Sequence, residues 1–368
     1  SGQGIVTFTG AIGATEELGG LNVNASSGNG VITFTSTIGD SGNAGVIGTT
    51  SIGNAATSDL NFNSTIYKFD GATTITAAAG DTIDMGSAVT FTTLGDNITF
   101  ATGNIELANG SNLTVDTGAA GGNITIGEIG GTSVETVTLD AGTGTTSVGV
   151  IGSGTEIGAL SIGSAENGGI TLNGAITTDG VVTLDGPITL ATGAITITTA
   201  DDAINLQGTV DGGQALTLSS GSAAVTVDGA IGSSTALTSL TVNSSGAGTI
   251  EIANIGTSSA VGVSGATAIG NTSTGTLTLD GTVYTTTGTQ TYTAATGGGN
   301  IDITNTAGTT FTTTNTAVAF NTSGVDLANN ATTTIDTGTG AGNVTFQGAI
   351  ETNGSDNDIL TVTSGQGT

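Results

Sequence analysis

Apolar and small polar residues alternate along this chain with a period of two. The runs "IVTFT" from Ile5, "VITFT" from Val31, "AVTFTT" from Ala88, "GITLNG" from Gly169, "AITITT" from Ala194 and "NVTFQG" from Asn343 all follow this pattern. Each run is short and is bounded by Gly, Asn, Asp or Ser, as half-buried strands joined by tight turns are. Their β-branched Val, Ile and Thr suit a pleated surface. No stretch keeps apolar residues at i, i+3 and i+4, and Gly interrupts nearly every candidate helix. The pattern predicts an all-β chain.

A longer period overlies the short one. "AGVIGTTSIGN" from Ala44 returns as "VGVSGATAIGN" from Val261, and "ELANGSNLTVDTGAAGGNITI" from Glu106 as "DLANNATTTIDTGTGAGNVTF" from Asp326. Tyr67 is matched by Tyr284, so the pattern recurs after roughly 220 residues. The chain reads as a first copy over 1-219 and a partial second over 220-368 of one continuous rod. Phe91 and Phe100 are matched by Phe311 and Phe320, and Ile126 by Phe346. Apolar replaces apolar at these inward positions, while Thr, Asn, Ser and Ala interchange at positions read as outward. Short strands, imperfect repetition and few aromatics favour stacked coils over a closed sandwich or barrel. The expected fold is a parallel β-helix, or β-solenoid, right-handed, with roughly 20–30 residues per turn. Neither end carries a polar or helical cap, so both are expected to be uncapped and open to coaxial stacking.

The phrases "LTLDGTVYTTTGTQTYTAATGGGNIDITN" (Leu277 to Asn305) and "NVTFQGAIETNGSDNDILTVTSGQGT" (Asn343 to Thr368) resemble repeats of filamentous-haemagglutinin-like and large autotransporter-type surface proteins. The resemblance spans essentially the whole chain. It implies a right-handed β-helical stalk, exported to the cell surface and serving adhesion or biofilm structure. It departs from that family in showing neither an amino-terminal secretion domain nor a membrane-anchored barrel. The implied part is therefore the shaft.

Charge narrows the choice of partners. The 368 residues include 29 Asp and Glu against 1 Lys or Arg, a formal net charge of -28, with no His, Cys or Trp. Lys68 alone does not neutralise phosphates, so nucleic acid and anionic membrane surfaces are excluded as partners. A lone Lys also rules out isopeptide bonds as a general staple. Without Cys there is no disulfide framework and no thiolate metal site. No run of about 18 apolar residues occurs, so no membrane-spanning helix is expected. The first residues lack a secretory signal, and any such signal lies outside this sequence.

Acids are nearly the only ionisable groups. Asp116, Asp140, Asp185, Asp228, Asp280 and Asp336 each follow an apolar residue at a strand end. Turn initiation is the plain role of such Asp residues. Stacked in successive coils, they would instead repel unless Ca2+ lay between them, which makes Ca2+ the one cofactor the pattern admits. "GGGNIDITN" from Gly297 echoes a Ca2+-binding nonapeptide only once and imperfectly. Paired acids at Asp201/Asp202 and Asp356/Asp358 match the requirement of a polysaccharide lyase or hydrolase for two carboxylates. They lack any His or Arg to move a proton or stabilise charge, and an enzyme is not expected. Thr-rich stretches at Thr276, Thr291 and Thr309 suggest flat hydroxyl ladders of the ice-binding kind, but their spacing wanders. Sequons at Asn63, Asn97, Asn112, Asn123, Asn271, Asn330 and Asn343 are expected by chance in so Asn- and Thr-rich a chain. The reading is a structural segment of an extracellular fibre that partners itself end to end. A carbohydrate- or cell-binding adhesin segment is the alternative, and a lyase or hydrolase a remote third.

Overall fold

The computed structural model describes residues 4–24, 30–163, 168–322, 324–352, 354 and 357–366. Among them are 38 strands and no helix, and the strands pair in parallel as a β-solenoid of about 14 turns. The chain divides into two compact units, Ser1–Gly180 with Leu184–Gly186, and Val181–Thr183 with Pro187–Thr368.

Three sets of strands build the first unit, one for each face of a turn. The first face holds Leu21–Val23, Thr50–Gly53, Thr73–Thr76 and the leading half of Ile98–Leu107. The second holds Ile5–Phe8, Gly30–Phe34, Thr57–Phe62, Thr82–Met85 and the trailing half of Ile98–Leu107. The third holds Ile66–Lys68, Val89–Thr92, Leu113–Asp116 and Thr136–Asp140. Ile98–Leu107 serves two faces because its register shifts between Phe100 and Asn104. Asparagines staple one turn to the next. The Oδ1 atoms of Asn97, Asn112 and Asn123 accept the backbone N–H of Asn123, Thr136 and Thr145, which lie 26, 24 and 22 residues further on. Those steps fall in the range the sequence implied, and three of its sequons are at work as inter-turn staples.

Inward positions align into apolar columns. Ile52, Ile75, Phe100, Ile126, Val148 and Leu172 follow one another in register, each at most 2% exposed. On the second face Phe8, Phe34 and Phe62 stack with centroids 4.9 and 5.4 Å apart and nearly parallel rings, within the range of favourable offset stacking.

The second unit repeats details of the first. Tyr67 and Tyr284 are both fully buried, and burial pushes the Tyr67 phenol up to about 12. The Tyr67 Oη accepts the Ser64 N–H and donates to the Phe34 carbonyl; the Tyr284 Oη accepts the Gly281 N–H and donates to the Ile252 carbonyl. Tyr67 stacks on Phe91 at 5.2 Å and Tyr284 on Phe311 at 4.9 Å. The Phe91–Phe100 and Phe311–Phe320 pairs both sit edge to face at 5.4 Å. A Cβ on Gly45 would fall on the backbone N of Gly39, and one on Gly262 on that of Gly256. The repeated Gly is therefore required by the close approach of two chain segments.

One expectation is corrected. Threonine was read as an outward residue, yet Thr93, Thr117, Thr313 and Thr337 are buried. Their Oγ1 atoms donate to the carbonyls of Asp96, Gly122, Thr316 and Gly342, at 2.6, 2.6, 2.6 and 2.8 Å. Each hydroxyl closes the turn that follows its strand. That satisfies a buried polar group and a carbonyl at once.

Candidate functional site

Because alternate residues point outward, register turns the surface of the first unit into columns. The first face presents Asn22, Ser51, Thr74, Thr99 and Thr125, then Ser147 and Thr171, one above the other. No charged residue interrupts this column. Hydroxyls thus line up in register, where the spacing read from sequence wandered. Of the Thr stretches singled out earlier, all in the second unit, Thr291 stands between Ala268 and Ala319, while Thr310, next to buried Thr309, heads a shorter outward column with Thr334 and Thr361.

Acids gather on the second face. Asp84 lies between Asn61 and Glu106 in one outward column, and the adjacent column holds Asp59, Thr82, Asn104 and Glu128. The four carboxyls form a zigzag across four turns with no cation among them. Burial, then a hydrogen bond with Asp59, pushes Asp84 up to about 6, although the Thr82 hydroxyl donates to it. Burial and the charge of Glu128 also raise Glu106. The Asn61 amide donates to Asp59 Oδ1 at 3.2 Å. These acids were missed because attention went to strand ends, whereas Asp59, Asp84 and Glu106 stand within strands, as in "TIDM" and "NIEL". A lone acid between two buried apolar residues is the sequence signal for an outward carboxyl on a sheet.

A pH dependence follows from this zigzag. The folded-state value of Asp84 near 6 lies above its ordinary 3.8. Its contribution to stability is therefore complete below the ordinary value and is lost as pH rises through about 6. Asp84→Asn is expected to raise the unfolding temperature at neutral pH and to flatten the gain seen on acidification. Thermal unfolding of parent and variant across that window checks it, and parallel profiles would count against it.

The strand-end acids serve turns. Asp116 and Asp140 are register partners on the third face. Asp116 Oδ1 accepts the Gly118 N–H at 2.7 Å, Asp140 Oδ1 the Gly142 N–H at 2.9 Å, and Asp336 Oδ1 the Gly338 N–H at 2.8 Å. This is the Asx-turn geometry that Asp supplies. Asp185 donates its backbone N–H to Ile162 and is half-buried. Asp228 and Asp280 come together with Glu251, which the sequence reading passed over: burial, then the charges of Asp280 and Asp228, raise Glu251. Burial, then Asp228, raises Asp280, whose buried Oδ1 has no hydrogen-bond partner. Further along, Asp302, Asp326 and Glu351 share an outward column, and the Asn300 amide donates to both Asp302 and Asp326 at 2.6 Å. Among the described residues no three His, Cys, Asp or Glu side chains converge in a metal-holding group.

Of the paired acids, Asp201 Oδ1 accepts the Ser222 N–H at 2.9 Å, which holds this carboxyl below its usual range. Asp358 Oδ1 accepts the Asn330 N–H at 2.6 Å, and Asp356 lies outside the described residues. Lys68 shares a shallow groove with Asp40, Ser41, Thr90 and Thr92. The backbone N–H groups of Asn43 and Gly42, and then Lys68, hold Asp40 below its usual range.

No protein-family model, curated protein or solved structure matches the chain. What stands of the resemblance drawn from the sequence is the β-solenoid of about 14 turns, without helices among the described residues.

Proposed function

We propose that this chain is a shaft segment of an extracellular filament or cell-surface fibre, stacking coaxially into a stiff β-helical rod. The observation that carries this reading is the continuous parallel pairing of strands from turn to turn within each unit, with apolar columns inside and hydroxyl and carboxyl columns outside. Every turn offers the next the same backbone ladder, so bending a unit costs hydrogen bonds and packing at once. The strands Ile5–Phe8 and Ile359–Thr363 leave Ile5 and Ile359 68% and 55% exposed. A further turn laid on either strand, from a longer chain or a second copy, would cover these side chains and pair the open edge. A charge of -28 with a single basic residue opposes side-by-side aggregation of such shafts.

Electron microscopy and fibre diffraction of the isolated material at neutral pH test this reading. Unbranched filaments with an axial repeat of ~4.8 Å are expected. Compact monomers that never associate, and that surface labelling finds inside the producing cell, would overturn it.

A further inference from the structure

We infer that the uncharged first face of the amino-terminal unit is a binding surface for a neutral polysaccharide, a role beyond that of a shaft. In the outward column of this face, Ser51, Thr74, Thr99 and Thr125 stand in register on successive strands; Ser147, whose hydroxyl accepts the Asn173 amide, follows and then Thr171, and apart from Ser147 none of these hydroxyls is used in a hydrogen bond within the fold. Some hydroxyls elsewhere are consumed by the fold, as the Oγ1 atoms of Thr93, Thr102 and Thr117 bond to nearby carbonyls, and the unbonded third-face row of Thr90, Thr114 and Thr138 runs beside Asp116 and Asp140. A row of four consecutive unused hydroxyls at a spacing of ~4.8 Å is a repeating set of donors and acceptors.

A groove of about 550 Å³ opens at one end of the row. It crosses three turns, with Asn22, Ser51 and Thr74 on its wall and Gly20 and Ala72 leaving room beside them. Thr50, which also lines it, is 3% exposed, and its Oγ1 has no hydrogen-bond partner. No lining residue is charged.

Charge selects the occupant. The molecule carries -28, and its second and third faces carry Asp59, Asp84, Glu106, Asp116 and Asp140. A uronate-rich or sulfated chain would be repelled by that field, whereas an uncharged polyhydroxylated chain meets only amides and hydroxyls on the first face. No aromatic side chain stands in the outward column to stack on a sugar ring. Each contact is weak for that reason, and affinity comes from repetition along the row.

Retention of the whole chain on neutral polysaccharides (a β-glucan, a mannan and a dextran) and on polygalacturonate tests the inference. Retention on at least one neutral polymer and none on polygalacturonate is expected. Thr74→Val with Thr99→Val should weaken that retention at least tenfold, because both hydroxyls go while β-branched side chains preserve the strands. Thr114→Val, on the third face, should leave it unchanged. Circular dichroism matching the parent confirms that each variant is folded. The inference is overturned by no retention on any neutral polymer, by equal retention of parent and double variant, or by preference for polygalacturonate. It is also overturned if the double Val variant suppresses only self-association or ice-crystal shaping. The retention outcomes do not bear on filament formation, which is read separately by microscopy.

Discussion

Phe311→Ala is expected to destabilise the second unit by about 3–5 kcal/mol, the usual cost of emptying a buried phenylalanine site. Phe311 is fully buried, stacks on Tyr284 at 4.9 Å, and meets Tyr292 and Phe320 edge to face at 5.5 and 5.4 Å. Collapse around the hole is opposed by the backbone: Phe311 pairs in register with Tyr284 on one side and Ile335 on the other. The ladder fixes the distance between those neighbours, so the cavity stays open. Tyr284 is further pinned by its hydrogen bonds to Gly281 and Ile252. Phe346→Ala is the control, since Phe346 stacks on Phe320 at 4.9 Å but is only half-buried, and should cost less than half as much. Because neighbouring turns of a solenoid open semi-independently, amide hydrogen exchange resolves the effect better than a single melting curve. Protection should fall first in Val283–Thr285 and Thr332–Asp336. Equal losses at Phe311 and Phe346 would show that the aromatic columns do not hold the turns together.

The strands and their parallel stacking were legible because alternation with a period of two marks which side of a sheet a residue faces, and imperfect repetition with few aromatics favours stacked coils over a closed sandwich. Which strands are neighbours was not legible: "ITFAT" from Ile98 pairs with "ITIGE" from Ile124, a step of one turn that the 220-residue repeat does not mark. Register on the surface was harder to read. Steps of 26, 24 and 22 residues between neighbouring turns mean that no fixed period lines up Thr74, Thr99, Thr125 and Ser147. The turn lengths vary while the strand positions do not, so the hydroxyl row emerges only after folding. The acid zigzag was hidden by the same variation, and by the habit of Asp in turns. Asp116 and Asp336 kept to that habit. Buried threonine misled for a different reason: its β-branched methyl packs like Val, and its hydroxyl finds a carbonyl in the next turn.

Glu135→Ala is expected to cost the first unit about 2 kcal/mol at neutral pH, the net worth of hydrogen bonds to a charged acceptor whose donors lie on the exposed residues Gly110, Thr132 and Val134 and can turn in part to water. No alternation rule draws attention to Glu135, yet among the described residues it is the one acid that is 0% exposed. Its Oε1 accepts the Gly110 N–H at 3.0 Å and the Thr132 hydroxyl; its Oε2 accepts the Thr132 N–H at 2.6 Å and the Val134 N–H at 3.4 Å. The carboxylate closes its own loop and ties it to the turn at Gly110, 25 residues earlier. Burial alone would raise this carboxyl, but the hydrogen bonds from Thr132 and Gly110 outweigh it and hold the group below its ordinary 4.5. Its stabilisation is accordingly present above the ordinary value and is lost as pH falls through the lower folded value, the reverse of Asp84. Glu135→Gln should cost nearly as much as Ala. Each carboxylate oxygen accepts two donors, so either orientation of an amide turns its NH2 group against two of them. Chemical unfolding of parent and both variants at neutral and at strongly acidic pH separates this account from simple loss of packing. The gap between parent and Gln variant should narrow in acid, where the Glu135 carboxyl becomes protonated and itself carries a hydrogen. A Gln variant as stable as the parent at neutral pH would mean that the four donors find other acceptors and that the carboxylate does not hold the loop.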